Sequence, residues 1–261
     1  MSIPVPSDRT NTVDAEPAKL AAEIAALKHP LLLVFDCDGV LAPLVDHADD
    51  STLLPGVGEH LAELSSADHV VVAILSGRSL DGLAQFDFAD GVEVAGSYGG
   101  ERRGASPPTL TDIELRRLAQ LDAIVSDAAE IAGPGAWVER KPTSVVIHVR
   151  EADPELGRQA IDLARNRQRE LSGHECHEGS NVLELMARPS DKGRGLDELR
   201  EEFEASATVY FGDDVPDEDA FAQLGDGDVS VKVGSGPTIA MRRVADAAAV
   251  AELLDELRHL L

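Results

Sequence analysis

The chain predicts an α/β fold, a Rossmann-like parallel-sheet core with an α+β layer inserted into it. Residues 31–35, 70–75 and 208–211 are short, continuous apolar runs, the pattern of strands buried on both faces of a parallel sheet. Helical stretches separate them, as βαβ crossovers require. Between residues 104 and 187 the order changes to helix, two strands, helix, two strands. The expected domains are therefore a core of 1–103 plus 188–261 and an inserted layer of 104–187.

In chain order, residues 1–16 read as a loose, polar arm with prolines. Residues 17–28 make a helix with proline in its first turn, where it is tolerated. The first strand follows at 31–35. Pro55-Gly56 opens a helix to about residue 65, with Val57, Leu61 and Leu64 on one face. The strand at 70–75 ends in Ser76-Gly77-Arg78, and a third, at 92–95, runs into Gly96-Ser97-Tyr98-Gly99. Residues 104–110 are a breaker-rich linker. The inserted layer then reads as a helix at 111–132, strands at 136–141 and 144–150, a helix at 153–171, and strands at 174–178 and 182–186 around a Gly179-Ser180-Asn181 turn. The core resumes at Arg188-Pro189 with a helix near Asp191, a strand at 208–211 ending in Gly212-Asp213-Asp214, and a helix holding Glu218 and Phe221. A last strand at 229–234 and a helix at 247–260 close the chain.

Composition narrows the function. With 23 Lys and Arg against 48 Asp and Glu, the net charge of −25 argues against nucleic acid or an anionic membrane as partner. A phosphate ligand would need a locally positive pocket, so the scarce cations at strand ends carry information. Aromatics are 3% of residues, which leaves the core to Leu, Val, Ile and Ala. Cys37 and Cys176 stand far apart, so no disulfide framework is expected and a reducing cytoplasm is the default. No signal peptide, anchor or bilayer-length apolar run is read. A monomer is compatible with the sequence, which leaves the oligomeric state open.

The chemistry gathers at strand ends, where open α/β sheets bind ligands. The first strand runs into Asp36-Cys37-Asp38-Gly39. Alternation points Asp36 and Asp38 into one crevice, and paired carboxylates repel unless a cation or shared proton intervenes. The economical reading is a hard ion, Mg²⁺, beside a phosphoryl group; the alternative is a solvated loop or helix cap. Ser76, Lys192 and Asp213/Asp214 follow at the ends of other elements. Asp36 would attack phosphorus and form an aspartyl-phosphate, and Asp38 would serve as acid and then base. The Ser76 hydroxyl and the N–H groups around it suit the equatorial oxygens, and Lys192 at a helix N-terminus neutralises charge. Asp213 would complete the Mg²⁺ site with Asp36 and the Asp38 carbonyl.

Asp36-Cys37-Asp38-Gly39-Val40-Leu41, Ser76-Gly77-Arg78, Lys192-Gly193 and Gly212-Asp213-Asp214 resemble, in this order, the four motifs of the haloacid dehalogenase superfamily. Val138-Glu139-Arg140-Lys141, His148-Val149-Arg150, Val182-Leu183-Glu184 with Arg188-Pro189, and the run from Gly212 to Phe221 resemble the trehalose-6-phosphate phosphatase family. The resemblance spans about residues 31–234. It implies a dehalogenase-type core with an α+β cap, Mg²⁺ as cofactor, and a phosphorylated disaccharide, trehalose 6-phosphate, as substrate. It also implies that Lys141, Glu184, Arg140 and His148 contact the sugar, the alternative being a cross-strand ion pair on the cap sheet. It implies further that Gly77 and Arg78 line the phosphate loop, and that Asp214 and Asp217 stand behind the metal ligands, with a solvated helix-start carboxylate as the alternative for Asp217. Cys37, Val40, Tyr98 and Pro216 depart from the usual aromatic, threonine, histidine and threonine of the family. Tyr98 and Pro216 bear on substrate identity. The rivals are a phosphatase of a related disaccharide or glycosyl solute phosphate, and a sugar-phosphate sensor without turnover.

Three further groups receive plainer readings. His174, Cys176 and His177 are adjacent strand residues with alternating faces and form no zinc site. Trp137 and the helix at 111–132 are read as packing, and Gly234-Ser235-Gly236 lacks the full dinucleotide-loop pattern.

Overall fold

The computed structural model describes residues 12–45, 47–171, 175–179 and 181–261. The chain divides into two compact units, one of residues up to 105 together with 191–261 and one of 106–190. In chain order, the first unit begins with β1 (Val13–Asp14), α1 (Pro17–Ala25), β2 (Leu31–Phe35), α2 (Val57–Ser65), β3 (Val70–Leu75), α3 (Leu80–Leu83), β4 (Glu93–Gly96) and β5 (Glu101–Arg102). The second unit holds α4 (Asp112–Ala132), β6 (Trp137–Arg140), β7 (Ser144–His148), α5 (Pro154–Glu170), β8 (Glu175–Gly179) and β9 (Val182–Met186). The first unit then resumes with α6 (Lys192–Glu202), β10 (Ala207–Gly212), α7 (Val215–Gln223), β11 (Val229–Val233), β12 (Arg242–Val244) and α8 (Ala247–Leu257).

The sheet of the first unit runs β1-β12-β11-β10-β2-β3-β4-β5. All pairings are parallel except β4–β5. β2 is central and all five of its residues are buried, because alternate side chains serve two cores. Leu33 and Phe35 pack with Leu20 and Ile24 of α1, Leu61 of α2 and Leu254 of α8. Leu32 and Val34 pack on the other face with Leu196 and Leu199 of α6 and Phe221 of α7. Phe35 also stacks on Phe211, 4.7 Å between centroids, within the range where aromatic pairs add to area burial.

Three strands went unread in the sequence. β5 and β1 have two residues each and β12 has three, too few for any periodicity to register. β1 corrects the expectation that residues 1–16 form a loose arm: Val13 and Asp14 pair with Arg242 and Arg243. The rest of that arm, residues 1–11, lies outside the described residues. Charged residues such as Arg242, which holds Glu23 at 2.7 and 3.1 Å, suit strands near a sheet edge.

In the second unit four antiparallel strands run β6-β7-β9-β8. One face carries Val145, Ile147, Leu183 and Leu185, which pack on Leu121 and Val125 of α4 and Ala160 and Ala164 of α5. Alternation therefore puts Ser144, Val146, His148 and Glu184 on the opposite face. The register adds Trp137, paired with His148, and Glu139, paired with Val146. Trp137 corrects the packing expectation: it is 53% exposed because it lies on edge strand β6, on the face away from α4 and α5. Cys176 is exposed and His177 Nε2 lies 2.9 Å from the Ser190 carbonyl. His174 and Ser180 fall outside the described residues.

A capping box starts α4. Thr111 Oγ1 accepts from the Glu114 N–H at 3.3 Å, and the Glu114 carboxylate accepts from the Thr111 N–H at 2.8 Å. Arg188 adds two donors to the same carboxylate at 2.8 and 2.9 Å. The Arg188 hydrogen bonds, followed by that from Thr111, hold the Glu114 carboxyl down at about 2. Its contribution to stability is therefore full above the ordinary carboxylate range and is lost as pH falls toward 2. Thr111→Ala should cost about 1 kcal/mol in urea unfolding at neutral pH. Glu114→Gln should flatten the acid limb of stability against pH relative to the wild-type chain.

Candidate active site

β2, β3 and β10 are neighbours in register, with Phe35 opposite both Phe211 and Ile74. The residues that follow them, Asp36, Ser76 and Asp213, consequently emerge in one row at the carboxyl end of the sheet. α6 adds Lys192 at its first turn, with Asp191 as N-cap accepting from the Arg194 N–H at 2.9 Å.

One buried ammonium organises the row. Lys192 Nζ lies 2.9 Å from Asp36 Oδ2 and 2.6 Å from Asp217 Oδ1. Asp217 is fully buried and takes three further donors: the Tyr210 hydroxyl at 2.8 Å and the N–H groups of Asp213 and Asp214 at 2.8 and 2.9 Å. Burial, only partly opposed by Lys192, pushes the Asp36 carboxyl up to about 7. Burial, with Asp217 adding to it, raises Asp213 to about 7 as well. Burial lowers the Lys192 ammonium, but Asp217 and Asp36 outweigh it and its net shift is upward. Tyr210 is driven upward by burial and then by Asp217, so its phenol stays a donor.

Carboxylate oxygens of Asp36, Asp213 and Asp217 lie within 4.8 Å of one another. They fit a hard divalent cation, which takes oxygen ligands. Asp217 already accepts four hydrogen bonds, whereas no donor reaches the Asp213 carboxylate among the described residues. Asp36 and Asp213 are thus the groups with free coordinating capacity, and Asp217 is the support behind them. Asp214 serves the helix: Oδ1 accepts from the Val215 N–H at 2.7 Å and it caps α7.

Asp38 is held on a separate partner. Arg78 donates to its two oxygens at 2.5 and 2.7 Å, and Ser51 Oγ donates at 3.1 Å. The guanidinium also sits 5.3 Å from the centre of the Phe86 ring. Ser76 Oγ accepts from the Arg78 N–H at 3.2 Å, and the loop is clamped by Ser97 N–H to the Arg78 carbonyl at 2.6 Å and Tyr98 N–H to the Ser76 carbonyl at 2.9 Å. Tyr98 places its phenol against Gly77, where a Cβ would meet it at 2.9 Å.

The cap-side residues separate by strand face. Lys141 Nζ donates to Glu184 Oε2 at 2.9 Å and Ser144 Oγ to Glu184 Oε1 at 2.5 Å. His148 Nε2 lies 3.0 Å from Glu139 Oε2. Arg140 is placed apart from these: it pairs with Asp122 of α4 at 2.7 Å on the helix-covered face. Glu139 went unassigned in the sequence although alternation with Lys141 is a sufficient signal. Ser51 and Tyr210, by contrast, reach Asp38 and Asp217 only through the tertiary fold.

The first unit thus carries acidic residues and a lysine at the carboxyl edge of a mostly parallel sheet, and its chain is interrupted by the α+β unit. A family profile described as trehalose-phosphatase matches residues 34–249. The chain is 31% identical over 223 residues to the trehalose-6-phosphate phosphatase of Escherichia coli, covering 81% of this chain and 80% of that one. It is 32% identical over 242 residues to the trehalose-phosphate phosphatase of Mycobacterium tuberculosis, covering 85% of this chain and 60% of that one. The trehalose-6-phosphate phosphatase C-terminal domain of C. albicans shares the fold with a TM-score of 0.78 at 23% identity, over 97% of this chain and 99% of that one. The chain belongs to the trehalose-phosphatase family.

Two substitutions test the geometry. Gly39 has φ +77°, and a Cβ there would lie 2.1 Å from Asp213 Oδ2. Gly39→Ala should therefore abolish Mg²⁺-dependent turnover while leaving the circular dichroism spectrum intact. Asp217→Ala should lower unfolding free energy by about 3–5 kcal/mol, because it strips one of two carboxylates from a buried ammonium and leaves the Tyr210 hydroxyl and two N–H groups without an acceptor; calorimetry would read the loss.

Proposed function

We propose that the protein is a phosphoric monoester hydrolase that converts trehalose 6-phosphate to trehalose and phosphate in the cytoplasm. The observation that carries the reading is the Asp36–Lys192–Asp217 chain beside Asp213, retained in a member of this family. Mg²⁺ is the cofactor that fits, held by Asp36, Asp213 and the Asp38 carbonyl with Asp217 and Asp214 behind them. When bound it supplies charge neutralisation between an anionic nucleophile and an anionic phosphate.

The remaining steps belong to the chain. Lys192 fixes the Asp36 carboxylate, which attacks phosphorus in line as the bond to the sugar oxygen breaks. Asp38, aimed by Arg78 and Ser51, gives its proton to that oxygen and releases the sugar. The Asp36 acyl phosphate then faces water. Asp38 takes a proton from the water as it attacks phosphorus, and the bond from phosphorus to the Asp36 oxygen breaks to free phosphate and the Asp36 carboxylate. Ser76, the Gly77 N–H and Arg78 hold the non-bridging oxygens. Glu184, Lys141 and His148 are the proposed sugar contacts, with Glu139 taking the place first given to Arg140.

Phosphate release with Mg²⁺ should favour trehalose 6-phosphate over glucose 6-phosphate, sucrose 6-phosphate and mannosylglycerate phosphate. Asp36→Asn should cut turnover by more than about 10³-fold, and chelation should silence the wild type until Mg²⁺ is restored. Preference for another member of the panel would move the substrate while keeping the mechanism. Absence of turnover from a folded, Mg²⁺-binding protein would overturn the reading.

A further inference from the structure

Trp137, the chain's single tryptophan, stacks on His148 with ring centroids 3.7 Å apart and planes 2° from parallel. The two residues face each other across β6 and β7 in register. Glu139 Oε2 holds His148 Nε2 at 3.0 Å, which fixes the imidazole against the indole. Yet the indole stays half exposed on edge strand β6. A half-exposed indole held flat by its neighbours is a surface on which a ring-shaped occupant can stack.

The surroundings select that occupant. The same sheet face carries the Glu139 and Glu184 carboxylates, with Lys141 and Ser144 on Glu184. Carboxylates on the indole's own strand, at Glu139, and two strands across, at Glu184, disfavour an anion or a nucleobase phosphate. They suit a neutral ring with vicinal hydroxyls, whose O–H groups donate to carboxylates while its C–H face lies on the indole. We infer that Trp137, oriented by His148 and Glu139, is a stacking platform for a neutral pyranose ring of the sugar phosphate. This assignment rests on the proposed disaccharide substrate and adds to it a specificity-determining residue.

The lone tryptophan makes its own probe. In the Asp36→Asn protein, trehalose and trehalose 6-phosphate should change the indole emission saturably, and glycerol 3-phosphate should not. Trp137→Ala in the wild-type background should raise KM for trehalose 6-phosphate about tenfold with kcat retained, the scale of one aromatic contact. Trp137→Phe should restore most of the affinity, and thermal melting would verify that both variants fold. An unchanged KM in Trp137→Ala, or flat emission at saturating substrate, would overturn the platform while leaving the phosphatase reading intact. A saturable response to a neutral disaccharide without hydrolysis of trehalose 6-phosphate would do the reverse, supporting the platform and sinking the substrate.

Discussion

The structure depends on a single ammonium buried between two carboxylates. Lys192 sits 2.9 Å from Asp36 and 2.6 Å from Asp217, and removing water from three such charges costs several kcal/mol per ion unless each is paired and hydrogen-bonded. Much of the local architecture exists to meet that condition. Tyr210 comes from β10, the Asp213 and Asp214 N–H groups come from the turn into α7, and Lys192 comes from the first turn of α6. Gly212 is needed in the same cluster, since a Cβ there would meet Asp217 Cγ at 2.3 Å. In a chain of net charge −25, this is how the buried Asp36 carboxylate is kept in place without being expelled by its neighbours.

Topology decides where that cluster forms. β2 has β3 on one side and β10 on the other, and the chain leaves it in one direction through β3 and β4 and returns on the other through β10 to β12. A parallel sheet opens a crevice at such a switch because the following loops diverge to opposite faces. Asp36 stands at its floor, with the Ser76 loop from β3 and the Asp213 turn from β10 as its walls. The Ser97–Tyr98 segment after β4 adds the clamp on Ser76 and Arg78. Both of its residues have positive φ, 50° and 58°, a conformation costly for residues with a Cβ and found where a site over-determines the backbone.

The sheet strands were legible because buried parallel strands are written as unbroken apolar runs, and β3 was read from first residue to last. The site was legible in its ends: Asp36, Asp38, Ser76, Lys192 and Asp213 follow strands or open a helix. Two site residues, Ser51 and Tyr210, escaped because only the folded chain brings them to Asp38 and Asp217. Ser51 meets Asp38 through an irregular loop, and Tyr210 looks like another apolar strand residue until Asp217 is placed beneath it. Arg140 follows the strand period of two: adjacent to Lys141 in sequence, it lies on the opposite face, paired with Asp122.

The proposed sugar contacts and the buried charge cluster should tolerate different changes. On the cap sheet Glu184 already accepts from Lys141 and Ser144, so a sugar hydroxyl that binds there exchanges one hydrogen bond for another. The net gain per hydroxyl is small, about 0.5–1.5 kcal/mol. Discrimination between disaccharides therefore cannot come from any one polar contact. It would have to come from the sum of such exchanges, in which a hydroxyl that displaces a donor without replacing its hydrogen bond costs more than a made bond returns. The dehalogenase-type site has the opposite character, since loss of the one ammonium at Lys192 leaves two buried carboxylates uncompensated. On the proposed reading, substrate identity can drift by substitutions along a strand face, whereas the Asp36–Lys192–Asp217 charge balance is one that no single change preserves.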